Sequence, residues 1–393
     1  MVVQYTLRVR IYVRRKHVCT GGAADDPFYQ NSCGVTVLKK IVLTGGGTAG
    51  HVTPNLAILP TLRSLDYEIH YIGSYEGIEK KLVADFDIPY YEISTGKLRR
   101  YFDAKNFSDP FRVMKGFAQA RSILKKIKPD VIFSKGGFVS VPVVRAASTL
   151  KIPCIIHESD MTPGLANKLC IPVASKICCN FPETLQSLPP ERSVLTGTPI
   201  RQELRQGSKQ AGLKLCGFDE TRPVILVIGG SQGAANINTA VRECLDELLM
   251  DFQIAHICGP GKLDNVLLVK PGYKQFEYVK AELKDLFAMA DIVISRAGAN
   301  AICELLELQK PNLLIPLMAG SRGDQILNAA SFEAQGFSMV LSENDITPIL
   351  FKEKIHELYF SRQTFIDSMK DCPQKDALGA IVGLIEEYAN PVH

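Results

Sequence analysis

Short runs of apolar, mostly β-branched residues alternate along this chain with segments in which apolar positions recur every three or four residues. In the first half, runs of the first kind predict strands at residues 39–44, 68–73, 130–134 and 154–158. Segments of the second kind predict helices at residues 57–65, 111–127 and 141–150. Because strands that are apolar on both faces need cover on both faces, the alternation predicts a parallel sheet between two layers of helices.

The same alternation starts again in the second half of the chain. Its predicted strands lie at residues 223–230, 253–259, 276–279, 291–295 and 312–316, with helices between them. The pattern therefore predicts two doubly wound α/β units in tandem. The predicted linker is a segment rich in Gly, Pro and polar residues at 195–217, and a last helix is expected at 377–388.

These patterns divide the chain into four predicted segments. They are an N-terminal extension at 1–37, a first domain at 38–200, a second domain at 201–372, and a C-terminal helix at 373–393 that could return to the first domain. The extension has a basic stretch at residues 8–17, followed by a mixture of Gly, Asp, Pro and Asn. We expect it to be a tag, a start site assigned too early or a disordered arm; an arm that contacts a membrane or a partner is the alternative.

Composition places the chain among globular proteins, since 22% charged and 46% hydrophobic residues suffice for a packed interior. The formal charge of +4 is small, so attraction to phosphates or anionic lipid requires a local cluster of bases. The 11 cysteines are an odd number without C-x-x-C spacing, which favours free thiols in a reducing cytosol over disulfides or zinc. No run of about 18 apolar residues is present, so we expect a cytoplasmic protein without a membrane span.

A glycine-rich turn follows the first strand of each unit: G-G-G-T-A-G-H-V at residues 45–52 and G-G-S-Q-G-A at residues 229–234. Glycines let a backbone approach a ligand closely, and the helix that follows offers free N–H groups, so both turns are candidate anion sites. A dinucleotide site needs an acidic residue about 20 positions on, at the end of the second strand. Gly73 and Ser74 stand there, which argues against NAD.

Seven motifs follow one another in a characteristic order. They lie at residues 45–54 (GGGTAGHVTP), 134–142 (SKGGFVSVP), 155–160 (IIHESD), 197–201 (GTPIR), 229–234 (GGSQGA), 295–304 (SRAGANAICE) and 321–329 (SRGDQILNA). In this order they resemble the MurG family, the UDP-N-acetylglucosamine:undecaprenyl-diphospho-N-acetylmuramoyl-pentapeptide N-acetylglucosaminyltransferases. The resemblance extends from about residue 39 to the C-terminus.

The resemblance implies the GT-B fold, an α/β architecture in which two Rossmann-like, doubly wound parallel-sheet domains face a cleft. It implies a hexosyltransferase that moves GlcNAc from UDP-GlcNAc to the C4 hydroxyl of undecaprenyl-diphospho-MurNAc-pentapeptide in peptidoglycan synthesis, with inversion. The first domain would bind the acceptor and the second the UDP-sugar. The alternatives are a UDP-GlcNAc 2-epimerase, a transferase with another acceptor, and a non-catalytic nucleotide-sugar-binding subunit.

On the donor side, the resemblance assigns Glu304 to the two ribose hydroxyls, which a carboxylate binds through charge-assisted hydrogen bonds. Gln325 would hold the sugar hydroxyls, and Arg201 the diphosphate, whose charge grows as the bond to the sugar breaks. Ser231 and Gln232, in the second turn, would contact the diphosphate or the sugar. The nucleotide is further expected against six residues: Val279, Ala299, Asn300, Ala301, Ile302 and Cys303.

On the acceptor side, the sugar and the acceptor diphosphate are expected to border three residues of the first turn: Thr48, Ala49 and Gly50. His51 is a general base for the acceptor hydroxyl or a contact to the diphosphate, because an imidazole with an ordinary pKa near 6.5 suits both roles. Glu158 and Asp160 are competing bases. The family usually has Asn where this chain has Asp160, and a carboxylate accepts hydrogen bonds but does not donate them.

Residues 97–128 interleave apolar and basic side chains. The apolar ones are Leu98, Tyr101, Phe102, Phe107 and Phe111, and the bases are Lys97, Arg99, Arg100, Lys105, Arg112, Lys115, Lys125, Lys126 and Lys128. This pattern suits an anionic bilayer interface, so we expect a peripheral protein at the cytoplasmic face of the cell membrane; a core helix with a solvated basic face is the alternative. No nucleic-acid-binding motif accompanies this segment, and the seven cleft motifs contain no D-x-D-like metal clamp, so we expect no nucleic acid, cofactor or metal, and turnover that survives EDTA.

Overall fold

The structure, a computed structural model, describes residues 38–96, 109–230, 233–318 and 323–390. Over these residues the chain forms two parallel sheets, of seven and six strands, with helices on both faces. This is the two-sheet α/β architecture that the hydrophobic pattern predicts. The N-terminal extension at 1–37 lies outside the described residues, and the boundaries of the four predicted segments stay a prediction.

The first sheet has the strand order β3-β2-β1-β4-β5-β6-β7. Its strands are β1 (Lys40–Thr44), β2 (Glu68–Ser74), β3 (Tyr90–Ile93), β4 (Val131–Ser134), β5 (Cys154–Glu158), β6 (Lys176–Cys179) and β7 (Ser193–Leu195). Its helices are α1 (Thr53–Ala57), α2 (Leu59–Ser64), α3 (Ile78–Val83), α4 (Asp109–Ile127), α5 (Ser140–Thr149), α6 (Leu165–Cys170) and α7 (Pro182–Leu185). In the register of this sheet, Ile41 pairs with Ile69 on one side and with Val131 on the other.

The second sheet has the order β10-β9-β8-β11-β12-β13. Its strands are β8 (Val224–Ile228), β9 (Gln253–Ile257), β10 (Tyr273–Phe276), β11 (Ile292–Ser295), β12 (Asn312–Leu314) and β13 (Met339–Val340). The remaining helices are α8 (Lys209–Cys216), α9 (Ala235–Glu243), α10 (Leu245–Asp251), α11 (Leu283–Met289), α12 (Ala299–Glu307), α13 (Asp324–Ala334), α14 (Pro348–Lys370) and α15 (Ala377–Ala389). Both sheets reverse their strand order beside the first strand of the unit, and ligands of such sheets bind there.

Three predicted elements differ from the structure. The helix predicted at 57–65 starts earlier and is divided into α1 and α2, because Pro54 and Pro60 lack the N–H that an interior helical position needs. In place of the strand predicted at 276–279, β10 spans Tyr273–Phe276, so the prediction and the strand share only Phe276. The linker predicted at 195–217 contains α8, whose Leu213 packs into the core of the second unit.

The hydrophobic core of each unit lies on both faces of its sheet. The last helix, α15, packs on the first sheet: Ile381 and Ile385 belong to the same buried cluster as Ile41 of β1. The nine cysteines among the described residues are all buried and free. No helix in the described ranges is long and apolar enough to cross a membrane.

Candidate active site

A cleft with a cavity volume of about 1450 Å³ opens where the carboxyl ends of the two sheets meet. On the first unit it is lined by segments that follow β1, β2, β4 and β5, and on the second by the start of α12 and by Asp324. Eight predicted site residues line it: Thr48, Gly50, His51, Glu158, Asp160, Ala299, Asn300 and Ala301. The cleft therefore joins predicted acceptor and donor residues that are more than 100 positions apart in sequence.

Close contacts to the rest of the first unit fix the glycine-rich turn after β1. The Gly46 N–H donates to the Gly136 carbonyl oxygen at 3.3 Å, and the Gly47 N–H donates to the Glu79 carboxylate at 3.1 Å. A Cβ on Gly45 would lie 2.4 Å from the His51 carbonyl oxygen, so the turn accepts no side chain there. Because the first two amides serve the protein, a ligand would have to use those that follow.

Sequence reasoning missed Glu79, which organises this turn. Its side chain is fully buried and also accepts from the Ser74 N–H at 3.0 Å and the Ser74 hydroxyl at 2.5 Å. A Cβ on Gly46 would lie 2.4 Å from the Glu79 carboxyl carbon. The sequence contains one sign of this role: a carboxylate lies at the start of α3, just after the end of a predicted strand.

His51 is held in the protonation state that a general base needs. Its Nδ1 lies 3.1 Å from the Gly46 carbonyl oxygen and 3.1 Å from the Thr48 hydroxyl. A carbonyl only accepts hydrogen bonds, so Nδ1 carries the proton and Nε2 keeps its lone pair. Burial, and next the charge of Lys135, lower the pKa of His51 below its usual 6.5. The imidazole is therefore neutral at pH 7 and able to accept a proton.

Glu158 lies at the carboxyl end of β5, where its oxygens are engaged by the protein. They accept from the Asp160 N–H at 3.0 Å, the Gly164 N–H at 2.9 Å and the Asn167 side-chain amide at 2.9 Å. This buried carboxylate shapes the loop that carries Asp160 into the cleft. Of the three candidate bases, His51 has the geometry best suited to take a proton.

Lys135 is a second residue that sequence reasoning missed. It follows β4, its side chain is almost completely buried, and it lies beside the glycine-rich turn. Burial lowers the pKa of Lys135 to about 7. A lysine in a glycine-rich segment after a strand is usually solvated, and only the tertiary structure reveals that this one is enclosed.

On the second unit, α12 carries six of the predicted donor-side residues, Ala299 to Glu304. Glu304 has a side chain that is 23% exposed and lies 3.9 Å from the Arg201 guanidinium. Burial raises the pKa of Glu304 to about 7, although the Arg201 charge acts in the opposite direction. Ile302 and Cys303 are buried, and Ile302 faces the core of the second unit. Those two residues could meet a nucleotide only through their backbone.

One hydrogen bond joins the two units at the wall of the cleft. The Asn300 side-chain amide of α12 donates to the Gly50 carbonyl oxygen at 3.1 Å. Gly50 lies in a short 3-10 turn, Ala49–His51, directly after Thr48. The predicted donor and acceptor segments are thus in direct contact, and Ala49 lies at this contact without lining the cavity.

Four further predicted donor residues are described but do not line the cavity, namely Arg201, Val279, Glu304 and Gln325. The Gln325 side-chain oxygen accepts from the Leu317 N–H at 3.0 Å, which leaves its amide hydrogens for a ligand. Val279 lies in the loop after β10 and packs beside Phe276 on the core, so it is not a strand residue. Ser231 and Gln232 lie outside the described residues. Among those that are described, no group of three or more His, Cys, Asp or Glu side chains could hold a metal ion.

Helix α4 connects the cleft with an exposed apolar surface. Phe111 is 75% and Met114 is 70% exposed, while the neighbouring Arg112 and Lys115 line the cleft. Of the other members of the predicted membrane segment, Lys125 and Lys126 lie in the last turn of α4 and Lys128 follows it. Eight members lie outside the described residues, namely Lys97, Leu98, Arg99, Arg100, Tyr101, Phe102, Lys105 and Phe107. Apolar and basic side chains therefore occur together on α4, beside the cleft.

Comparison with known proteins agrees with this geometry. Residues 41–179 match the glycosyltransferase family 28 N-terminal domain, and residues 224–381 match the glycosyltransferase family 28 C-terminal domain. The chain is 61% identical over 351 residues to a protein of Lachnospira eligens named UDP-N-acetylglucosamine--N-acetylmuramyl-(pentapeptide) pyrophosphoryl-undecaprenol N-acetylglucosamine transferase, covering 89% of this chain and 99% of the relative. A protein of the same name from Lachnoclostridium phytofermentans is 60% identical, with the same coverage.

A solved structure gives the same result at the level of the fold. The crystal structure of MurG from Acinetobacter baumannii superimposes with a TM-score of 0.71 at 25% identity, covering 89% of this chain and 99% of that chain. Its likeness extends over both sheets and the cleft between them. The chain has the seven motifs, the two-sheet architecture and both domain matches, and its identity to the relatives is high over nearly their whole length. Together these findings establish that the chain belongs to the MurG family of GT-B glycosyltransferases.

Proposed function

We propose that the chain transfers GlcNAc from UDP-GlcNAc to the C4 hydroxyl of undecaprenyl-diphospho-MurNAc-pentapeptide, the step of peptidoglycan synthesis that its relatives are named for. The observation that carries the proposal is the hydrogen bond from the Asn300 side chain to Gly50, through which the turn that carries His51 contacts the helix that carries Glu304. An acceptor-side base and a donor-side carboxylate are the two groups that such a transfer needs.

The proposed reaction depends on the protonation state of His51. The acceptor oxygen attacks the anomeric carbon and forms the new glycosidic bond, while the bond from that carbon to the UDP oxygen breaks on the opposite face. Nε2 of His51 takes the acceptor proton, because its lone pair is free and the imidazole is neutral. The UDP leaves with the electron pair of the broken bond, and this inverts the anomeric centre.

We assign the donor contacts from the positions of the residues in the family motifs. Glu304 accepts from the ribose hydroxyls, and Arg201, 40% exposed beside it, is free to swing toward the diphosphate as its charge grows. Gln325 offers its amide hydrogens to the sugar. Ser231 and Gln232 remain predicted contacts to the diphosphate at the start of the segment that leads into α9.

The acceptor enters from the side of the first unit. Thr48 and Gly50 border the sugar, and Asp160 accepts hydrogen bonds where the family usually has an amide. Arg112 and Lys115 lie where an acceptor diphosphate would reach α4. We assign acceptor binding to the predicted domain at 38–200 and donor binding to that at 201–372.

We further propose that the protein binds the cytoplasmic face of the membrane through α4. Phe111 and Met114 are exposed apolar side chains, and Lys125 and Lys126 in the last turn of the same helix add positive charge. Each base near an anionic surface contributes on the order of 1 kcal/mol. Contact there would place the mouth of the cleft at the headgroups, where the diphosphate of a lipid-linked acceptor lies.

A transfer assay tests the proposal. Purified protein is incubated with UDP-GlcNAc and a lipid-linked muramoyl-pentapeptide acceptor, and UDP release and disaccharide are measured with and without acceptor. We expect stoichiometric UDP and disaccharide only with acceptor. UDP-GlcNAc isomerisation without acceptor would identify a 2-epimerase instead, and donor binding without turnover would identify a binding subunit. The same assay with EDTA tests the prediction that no metal takes part.

A further inference from the structure

The Lys135 ammonium is enclosed by three acceptors that use all of its hydrogens. Its Nζ lies 2.7 Å from His157 Nδ1, 2.7 Å from the Ser159 hydroxyl and 3.0 Å from the Thr198 hydroxyl. An ammonium group has three N–H donors, so the charged form of the side chain is fully satisfied. No carboxylate is among these partners, which distinguishes the site from a salt bridge.

The three acceptors belong to separate parts of the chain. His157 lies in β5, Ser159 lies in the loop that leads to Asp160, and Thr198 lies between β7 and the second unit. The His157 Nε2–H donates to the Gly197 carbonyl oxygen at 2.8 Å, and burial holds the pKa of His157 far below its usual value. One neutral imidazole thus bridges Lys135 to the connecting segment.

The connecting segment in turn reaches the donor helix. Thr198 donates its hydroxyl hydrogen to the Asn180 side-chain oxygen at 2.8 Å and lies beside the buried Cys303 of α12. Three residues further along, Arg201 lies 3.9 Å from Glu304. Lys135 is therefore linked to the helix that carries the donor-side carboxylate through Thr198 and the short segment that ends at Arg201.

We propose that Lys135 is a positioning residue for sugar transfer: by binding His157, Ser159 and Thr198 together, it fixes the donor-side helix α12 relative to the acceptor-side turn that carries His51. The inference rests on the proposed function for its kinetic consequences. A fraction of an ångström in the relation between base and donor changes turnover strongly, so the effect falls on kcat.

The charge of Lys135 has a second effect on the same turn. A buried cation without a carboxylate partner costs stability, so stability alone gives no reason for it. Besides His157, the titratable groups around Lys135 include Glu158, Asp160, Cys178 and Cys303. The charge of Lys135 lowers the pKa of His51, while that of Glu79 raises it. Removal of the ammonium should therefore move the pKa of His51 upward.

Two variants separate these effects. Lys135→Met keeps the length of the side chain and removes the charge and the three hydrogen bonds, whereas Thr198→Val keeps the charge and removes one acceptor. We expect Lys135→Met to lower kcat on the order of 10- to 100-fold and to move the acid limb of the kcat profile to higher pH. Thr198→Val should lower kcat less and leave the acid limb in place. Lys168→Met, the same change at an exposed position on α6, is the control and should alter neither.

A readout without turnover keeps this test separate from the proposed reaction. Histidine side chains labelled with ¹³C are titrated by NMR, with the His51 signal assigned through His51→Gln. An upward shift of its midpoint in Lys135→Met, absent in Lys168→Met, supports the inference even if the wild type transfers no sugar. An unshifted His51 titration would overturn the charge effect, and wild-type kcat in Thr198→Val would overturn the positioning role. If Lys135→Met does not fold, Thr198→Val alone decides the positioning role.

Discussion

If Glu304 binds the ribose as proposed, donor recognition should be sensitive to pH. Because burial raises its pKa to about 7, much of the free protein carries a protonated Glu304 at pH 6 and an ionised one at pH 8. The ionised carboxylate accepts from both ribose hydroxyls through charge-assisted hydrogen bonds, and protonation removes that charge. We therefore expect kcat/KM for UDP-GlcNAc to rise between pH 6 and pH 8, with the midpoint near 7, in initial-rate measurements at fixed acceptor.

Glu304→Gln checks the assignment. The amide keeps the shape but loses the charge, and a hydrogen bond to a charged group contributes about 1.5–3 kcal/mol, so kcat/KM should fall about 10- to 100-fold at pH 8. The rise of kcat/KM near pH 7 should disappear. Glu333→Gln, the same change at an exposed position on α13, should behave as the wild type. An unchanged donor KM in Glu304→Gln would show that the ribose lies elsewhere.

As the proposed general base, His51 should govern a different part of the pH profile. With both substrates saturating, kcat reports the bound complex, in which a neutral His51 is required. Since burial and Lys135 lower the pKa of His51, the acid limb of kcat should lie below pH 6.5. His51→Gln should lower kcat on the order of 10²- to 10⁴-fold. A raised acceptor KM with wild-type kcat would instead assign His51 to the acceptor diphosphate, and His356→Gln on α14 is the matched control.

The sequence predicted those cleft residues that follow the carboxyl ends of strands. Thr48, His51, Asp160 and Asn300 follow the carboxyl ends of predicted parallel strands, and those ends meet at one edge of each sheet. The roles of Glu79 and Lys135 were not predicted, because their burial and their hydrogen-bond partners arise from contacts between distant segments. A carboxylate on a short helix and a lysine after a strand are usually solvated.

At the scale of elements, the central strands were predictable and the edges were not. β1, β4, β5, β8 and β11 are continuous apolar runs because both faces are covered. β3, β7 and β13 are short edge strands, and their patterns are too brief to separate from loop. Helix α14, with 23 residues, was also missed, and its buried positions Phe351, Ile355 and Leu358 fit a single face on the second core.

The last helix gives the clearest prediction at this scale. Ile385 of α15 is fully buried against β1, and the Glu386 carboxylate binds Lys39 at 2.8 Å as well as the Tyr67 hydroxyl. Ile385→Ala should lower the free energy of unfolding by about 2–5 kcal/mol, because a buried isoleucine leaves a cavity. Urea unfolding followed by circular dichroism measures it. Glu387→Ala, on the exposed face of the same helix, should change stability little, and equal losses in both variants would argue against the packing.

At the scale of the whole molecule, the position of the cleft relative to α4 matters most. The helix presents Phe111 and Met114 to solvent while its Arg112 and Lys115 reach the cleft. A lipid-linked acceptor keeps its tail in the bilayer, so a protein bound through this face would not need to lift the substrate out. The donor, a soluble nucleotide-sugar, would enter on the side of the second unit.

A vesicle experiment tests this orientation. Phe111→Ser combined with Met114→Ser should weaken co-sedimentation with phosphatidylglycerol-containing vesicles about tenfold, since apolar insertion and basic attraction act together at an interface. Val266 and Val269 are 83% and 87% exposed on the second unit, so Val266→Ser with Val269→Ser removes a comparable apolar pair away from α4. That control should bind vesicles as the wild type does.

Two measurements make the vesicle result specific to α4. Binding of the wild type should fall steeply between low and high salt, because Lys125 and Lys126 act through screened charge. Transfer to an acceptor with a short, water-soluble prenyl chain should be unchanged in the α4 variant, while transfer to a full-length acceptor in vesicles should fall with binding. If both acceptors were affected equally, Phe111 and Met114 would serve the cleft itself, because a change confined to the membrane contact leaves the soluble reaction intact.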